Sequence, residues 1–180
     1  MRILQRNTLY VIGLSPNVAK EETLRRYEYF SQYGRILTVT INKEKAFQSE
    51  NQGLCFSAYI NYASEREASL AILAVDQFVF DGRLLHASYG RTKYCRFFLK
   101  GTNCLNHECP YLHREAHPEN ILTQEDMNKK ILFQQCQQLA LKLSKLTAQP
   151  EEQFRASLRA HKEGVMRAMK LTHTNRIIMP

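Results

Sequence analysis

The sequence predicts an α+β protein: a ferredoxin-like βαββαβ domain, then a small cysteine-rich module and C-terminal α-helices. Three observations support this fold class. Four β-prone runs alternate apolar and polar residues, two helical segments separate them in the order β-α-β-β-α-β, and three of the five cysteines fall within fifteen residues. We therefore expect a first domain over residues 7–90, a cysteine-rich module over 91–116, and amphipathic helices over 122–147 and 150–171.

The first half of the domain begins with a β-prone run, Leu9–Leu14, which the turn-forming residues Ser15–Asn17 close. Asn17 is the expected N-cap of a first helix, because its side chain can accept a hydrogen bond from the first turn. This helix should run to about Gln32 and end at Gly34.

The second half of the domain shows the same kinds of strand, helix-cap and turn signals. Ile36–Asn42 and Leu54–Tyr62 are the second and third β-prone runs. Ser64–Glu67 has the pattern of a capping box, and the apolar residues behind it recur at helical spacing. Asp81-Gly82 is a turn, and Leu84–Tyr89 is the expected fourth strand.

The C-terminal third predicts two amphipathic helices. Thr123–Asp126 can cap the first, and its apolar residues step by four and three positions. These residues are Leu132, Cys136, Leu139, Leu143 and Leu146. The second helix begins at Pro150. The two apolar stripes can pair with each other, dock on the first domain or receive a protein partner, and the sequence does not decide among these.

Composition narrows the function classes. The chain has 180 residues, a net charge of +8 and 44% hydrophobic residues, which is too apolar for wholesale disorder. No apolar run reaches the length of a membrane span, and we see no secretory signal, so we expect an intracellular protein, cytoplasmic or nuclear. The positive balance favours an anionic partner such as nucleic acid. Residues 1–90 carry only +1, however, and residues 121–180 carry +5.

Side-chain alternation predicts a binding face on the sheet. In the first strand Tyr10 points away from the helices, and in the third strand Tyr59 and Asn61 do so. His86 has the same parity in the fourth strand, where we expect a neutral hydrogen-bonding group. Because these side chains share one open surface, bases of single-stranded RNA can stack there. A surface that binds protein instead is the alternative.

The cysteine-rich module has the ligand types and spacing of a structural zinc site. Its four candidate ligands are Cys95, Cys104, Cys109 and His113. His107 and His117 compete with His113 for the fourth position, but His107 is only two residues before the last cysteine. A segment this short cannot build an apolar core, so one Zn²⁺ is expected to supply its folding free energy.

Residues 7–90 resemble an RNA-recognition motif (RRM), with Tyr10 and Tyr59 at stacking positions. Ser57 stands where a third ring is usual, and Cys55 where a Lys or Arg is usual. The cysteine-rich module is similar to CCCH zinc fingers, although its second and third cysteines are separated by four residues where five are common. That resemblance implies RNA contacts by Phe98 and Tyr111, and Arg96 and Lys100 belong to the basic run 91–100 beside them.

The two modules together resemble the ubiquitin-ligase subunit of the CCR–NOT deadenylase complex. The likeness rests on six stretches: Gln5–Asn7, Tyr10–Pro16, Glu28–Phe30, Asp81–Arg83, Thr92–Cys95 and Tyr111–His113. It implies an RNA-binding protein of mRNA decay or translational control, with CCR–NOT subunits as partners. Family members carry a RING finger of eight zinc ligands, which five cysteines cannot rebuild. A ligase component whose RING is supplied elsewhere and an RRM/CCCH splicing factor are the alternatives. No catalytic residue is predicted.

Overall fold

The computed structural model describes residues 2–49, 53–107, 109–123, 126 and 129–144. Within these residues an antiparallel sheet is formed by strands β1 (Arg2–Leu14), β2 (Ile36–Ser49), β3 (Gly53–Tyr62), β6 (His86–Thr92) and β7 (Ile121–Leu122). The strand order is β2-β3-β1-β6, and the short strand β7 pairs with the first residues of β1. Together with the helices of the chain, this sheet confirms the predicted α+β fold class.

The register of the sheet sends one row of side chains into the core. Leu9 of β1 pairs with Ile60 of β3 on one side and with Tyr89 of β6 on the other, and all three are fully buried. Because successive residues of a strand point to opposite faces, Tyr10 and Tyr59 project from the other side of the sheet. This alternation agrees with the prediction made from the sequence.

Helix α2 (Glu65–Val75) covers the inner face of the sheet. The predicted capping box is confirmed: the Ser64 hydroxyl accepts the Glu67 N–H, and the Glu67 carboxylate accepts the Ser64 N–H. Ser69 on this helix donates its hydroxyl proton to the Glu65 carbonyl and lies 2.6 Å from the Tyr89 hydroxyl. Since the single proton of Ser69 is already used, Tyr89 is the donor in that second bond.

The first helix is much shorter than predicted. Helix α1 spans only Glu21–Leu24, its N-cap is Lys20, and a separate 3₁₀ turn follows at Ser31–Tyr33. Side chains take the carbonyls that a longer helix would use: Ser31 Oγ donates to the Arg25 carbonyl at 2.6 Å. Local bonds of this kind compete with helical hydrogen bonds, which explains why the prediction from Asn17 to Gln32 was wrong.

The predicted fourth strand divides into two parts. A small hairpin forms first, from β4 (Val79–Phe80) and β5 (Arg83–Leu84), and its turn at Asp81-Gly82 has positive φ at both residues. The sheet strand β6 begins only at His86, where the Asp76 carboxylate accepts the N–H of Ala87. The turn was therefore predicted correctly, and the strand boundary was not.

The C-terminal helix packs on the first domain. Helix α4 (Lys129–Leu143) lies against α2 and buries Leu132, Cys136 and Ala140. Its Gln137 donates to the Asp76 carboxylate at 2.9 Å. The apolar stripe of α4 is therefore buried against the helical side of the first domain. Residues 145–147 and the helix predicted over 150–171 lie outside the described residues. Across the described part of the chain, no helix is long and apolar enough to cross a membrane.

Candidate nucleic-acid interface and metal centre

The centre of the candidate interface is a pair of tyrosine rings on the outer face of the sheet. Tyr10 and Tyr59 are cross-strand partners, and their ring centroids are 4.5 Å apart with an interplanar angle of 23°. Both residues are partly exposed. Partial burial raises the pKa of Tyr59, with a further contribution from Tyr10, while the charges of Arg91 and Arg2 oppose the shift. The Tyr59 ring therefore keeps its phenol proton near neutral pH.

A row of polar side chains crosses the same face beside the tyrosines. The Thr8 hydroxyl donates to the Asn61 side-chain oxygen at 2.6 Å, and the Asn61 amide donates to Thr38 at 2.6 Å. These bonds hold Asn61, which was predicted as a contact residue, in one orientation. The amide then has one N–H and a carbonyl lone pair left for a ligand.

The position of the expected third ring is closed. Ser57 is fully buried, and its hydroxyl has no hydrogen-bond partner within the described residues. Ser57 shares the outward parity of Tyr59 on this strand, yet its side chain is covered. Its strand neighbours Ile12 and Asn42 flank it on either side.

A cation stands beside the residue that replaces the usual Lys or Arg. The Arg83 guanidinium donates to the Leu54 carbonyl and lies 3.1 Å from the Cys55 sulfur. Arg83 comes from the small hairpin, 28 residues further along the chain. Arg83 was not predicted as a site residue, because no local pattern in the sequence shows that the hairpin reaches the start of β3.

His86 lies at the edge of this face. Its side chain is half exposed, and Nδ1 is 3.9 Å from the Asp76 carboxylate. It pairs across strands with Ile12, next to the Ser88–Tyr10 pair. The structure thus brings Tyr10, Tyr59 and Asn61 together, with His86 near the rim.

The four candidate metal ligands converge in space. One donor atom from each of Cys95, Cys104, Cys109 and His113 lies within 4.8 Å of all the others. A tetrahedral zinc ion with Zn–S bonds of about 2.3 Å separates its sulfur ligands by about 3.8 Å, so the cluster has the right size. Neither His107 nor His117 belongs to this group within the described residues. The cluster can hold a metal ion.

Backbone N–H groups near Cys95 and Cys104 favour the ionised thiolates, which are the form that binds a cation. The N–H of Phe98, followed by that of Phe97, lowers the pKa of Cys95 to about 7. At Cys104 the Asn106 N–H lowers the pKa, but burial and the two neighbouring thiols outweigh it, so that this pKa is raised. Three thiolates this close repel one another, so it is unfavourable to ionise all three thiols without a cation. The positive charge of a bound metal ion compensates this repulsion.

The aromatic side chains of the module differ from one another in accessibility. Phe98 stacks on Tyr94 with centroids 5.8 Å apart, so one of its faces is occupied. Tyr111 is half exposed, and so is Phe97, which was not predicted as a contact. The N–H of Lys100 closes the short helix α3 (Arg96–Leu99). Phe97 and Tyr111 are therefore the more accessible rings.

The module is fastened to the sheet by several bonds. Cys95 N–H donates to the Leu112 carbonyl, and the Thr92 hydroxyl donates to Pro110. Further along, the Arg6 side chain bonds Asn120 at 2.5 Å and Glu119 at 3.0 Å. Since these contacts flank the metal ligands on both sides, the metal centre and the sheet form a continuous structure.

Comparisons with known proteins agree with the fold. Residues 9–86 match the RNA recognition motif family. Two solved RRM structures are similar, the third RRM of Mip6 (25% identity, 47% of this chain, 93% of that chain, TM-score 0.38) and that of Pes4 (19% identity, 50% of this chain, 98% of that chain, TM-score 0.38).

Two curated yeast proteins are related over most of the chain. The putative general negative regulator of transcription C16C9.04c of Schizosaccharomyces pombe is 45% identical over 130 residues, 71% of this chain and 26% of its own length. The general negative regulator of transcription subunit 4 of Saccharomyces cerevisiae is 33% identical over 147 residues, 76% of this chain and 24% of its own. An aligned stretch this long includes the metal ligands wherever it begins.

The chain spans about a quarter of the length of these relatives. The fold, the tyrosine pair on the outer face of the sheet and the matched family all indicate the same type of domain. Residues 9–86 are a domain of the RNA recognition motif family, in a chain homologous to the two yeast negative regulators of transcription.

Proposed function

We propose that this chain binds single-stranded RNA on the outer face of its sheet and serves mRNA decay or translational control within a CCR–NOT-type assembly. One observation carries the proposal: Tyr10 and Tyr59 are partly exposed at the centre of that face while α4 packs on the opposite, helical side. An aromatic pair left accessible in this way offers a platform on which bases can stack.

Polar and charged groups around the rings support the same function. Asn61 can bond a base edge, and His86 adds a hydrogen-bonding group at the rim. Arg83 supplies a guanidinium near the start of β3, and the charges of Arg2 and Arg91 reach Tyr59. Cations at the rim attract phosphates, and rings at the centre stack on bases.

We infer further that the ion of the Cys95, Cys104, Cys109 and His113 cluster is one structural Zn²⁺. Three sulfur donors and one imidazole are ligands that zinc favours, and four protein ligands leave no open position for catalysis. In this proposal Zn²⁺ holds the module on the sheet, and Phe97, Phe98 and Tyr111, with Arg96 and Lys100, extend the RNA surface. The CCR–NOT partners rest on the resemblance of the two modules to the ubiquitin-ligase subunit of that complex.

The test of RNA binding is a fluorescence anisotropy titration with an eight-nucleotide single-stranded RNA of random sequence. Alanine at both Tyr10 and Tyr59 should weaken binding by about tenfold or more, since each stacked base contributes ~1–3 kcal/mol. The matched control is Tyr27→Ala, which removes an exposed ring that lies on the helical side, after α1. Equal affinities of the double variant and this control would rule out the sheet face as the RNA site.

A further inference from the structure

A second candidate site lies where the first domain meets the metal-binding module. A cleft of about 510 Å³ opens between the first residues of β1, the start of α2 and the segment that follows His113. Its lining includes Gln5, Asn7, Arg114 and Asn120. Cavities of roughly 300–1,000 Å³ are typical of small-ligand sites, so the cleft has room for one nucleotide.

The walls of the cleft are already held in place. Arg6 is mostly buried and bonds both Glu119 and Asn120, which ties the segment after the metal ligands to β1. The Thr92 hydroxyl donates to Pro110 at the rear. Both contacts are side-chain hydrogen bonds between the first domain and the segments that pack against it. The surface that a ligand would contact is therefore formed before the ligand binds.

Several groups in the cleft have bonding capacity left. Arg114 is exposed, and its guanidinium has no partner within the residues that the structure describes. The Asn120 oxygen accepts from Arg6, which leaves its NH₂ group as a donor. Asn7 donates to the Tyr62 carbonyl, which leaves its oxygen as an acceptor. Amides with donors and acceptors available can read the edge of a base.

The charge of the cleft selects among anionic ligands. Arg6 is neutralised by Glu119, and Glu65 and Glu115 also line the cleft. Arg114 is then the cation of the lining that can bind a phosphodiester, which carries a single negative charge. Glu65 and Glu115 leave the lining with one carboxylate in excess, which repels the several charges of a free nucleoside triphosphate much more strongly than the single charge of a phosphodiester.

The cleft also adjoins the proposed RNA face. Gln5 lines it, and the side-chain oxygen of Gln5 lies 3.6 Å from the position that a Cβ on Gly90 would take. Gly90 shares the outward parity of Ser88, beside Tyr10. A strand that crosses the tyrosine pair can therefore reach the cleft by passing Gln5.

We propose that this cleft is a subsite for one nucleotide of a single-stranded RNA bound across the sheet, with Arg114 on its phosphate and Gln5, Asn7 and Asn120 at the base. This inference rests on the proposed function, because it assumes that RNA occupies the neighbouring face. The subsite lies apart from the tyrosine pair, so the two can be tested separately.

The experiment uses the full chain with the same eight-nucleotide RNA, titrated at several salt concentrations. Arg114→Ala should weaken binding by about tenfold, as expected for a lost charge-assisted bond. It should also reduce the slope of log K against log salt by about 0.7, the value for one phosphate contact on a single strand. Lys20→Ala is the matched control, because it removes one exposed cation at the start of α1, outside the cleft.

The outcomes separate the two proposals. If Arg114→Ala behaves like Lys20→Ala while the tyrosine variant loses affinity, the subsite is refuted and RNA binding by the sheet stands. If the tyrosine variant binds as the wild type does, the proposed function fails first. As a second readout, RNA containing 4-thiouridine should form photocrosslinks to residues 5–7 or 114–120. Crosslinks confined to Tyr10, Tyr59 and their neighbours, with none at residues 5–7 or 114–120, would also overturn the subsite.

Discussion

Gly90 is the position where a single methyl group should disturb the RNA face most. It lies in β6 opposite Gln5, and a Cβ added there would be 2.6 Å from the Thr8 Cγ2 atom and 2.9 Å from Thr8 Cβ. Thr8 cannot move freely, because its hydroxyl holds Asn61, which in turn holds Thr38. Gly90→Ala therefore strains the polar row beside the tyrosine pair.

The magnitude follows from two opposing terms. Overpacking at distances this short costs about 1–3 kcal/mol. Replacing Gly by Ala reduces the entropy of the unfolded chain, which stabilises by about 0.4–1 kcal/mol. We expect a net loss of about 1–2 kcal/mol in the free energy of unfolding, measured by urea denaturation, together with weaker RNA binding because Asn61 is displaced.

A second substitution tests whether Thr8 is the cause. Thr8→Ser removes the Cγ2 methyl group and keeps the hydroxyl that bonds Asn61. In the Gly90→Ala background it should therefore destabilise less than it does in the wild type, with an interaction energy of about 1 kcal/mol. Strictly additive effects, or a Gly90→Ala variant as stable as the wild type, would refute this explanation.

Two further predictions concern the metal and the C-terminal helix. Cys104→Ser should lower the zinc content, measured by mass spectrometry of the native protein, from one atom per chain towards zero; full retention would reject the proposed ligand set. Gln137→Ala should cost about 1–2 kcal/mol in urea denaturation, because it removes a hydrogen bond to the buried carboxylate of Asp76. The control Gln138→Ala, on the exposed side of the same helix, should leave stability unchanged.

The sequence predicted the parts of the fold that depend on local patterns. Alternation placed Tyr10 and Tyr59 on the outer face, and the Ser64–Glu67 pair marked the start of α2. The spacing of the three cysteines and His113 predicted a cluster that the structure brings together. In each case the signal lies within about twenty residues.

The features that the sequence did not predict depend on distant contacts. Arg6 meets Asn120 across 114 positions, and Gln137 meets Asp76 across 61, so neither the cleft nor the docking of α4 has a local signature. Helix α1 was predicted too long because Ser31 and other side chains compete for its carbonyls. Ser57 has the outward parity, yet the structure buries it, which parity alone cannot reveal.

The central claim is that RNA lies on the outer face of the sheet. NMR titration of the ¹⁵N-labelled chain with an eight-nucleotide single-stranded RNA tests it most directly, since every backbone amide except those of proline reports its own environment. The account predicts the largest shift changes at the amides of Tyr10, Tyr59 and their neighbours on β1 and β3. Changes restricted to α2 and α4, with the tyrosine amides unmoved, would contradict it.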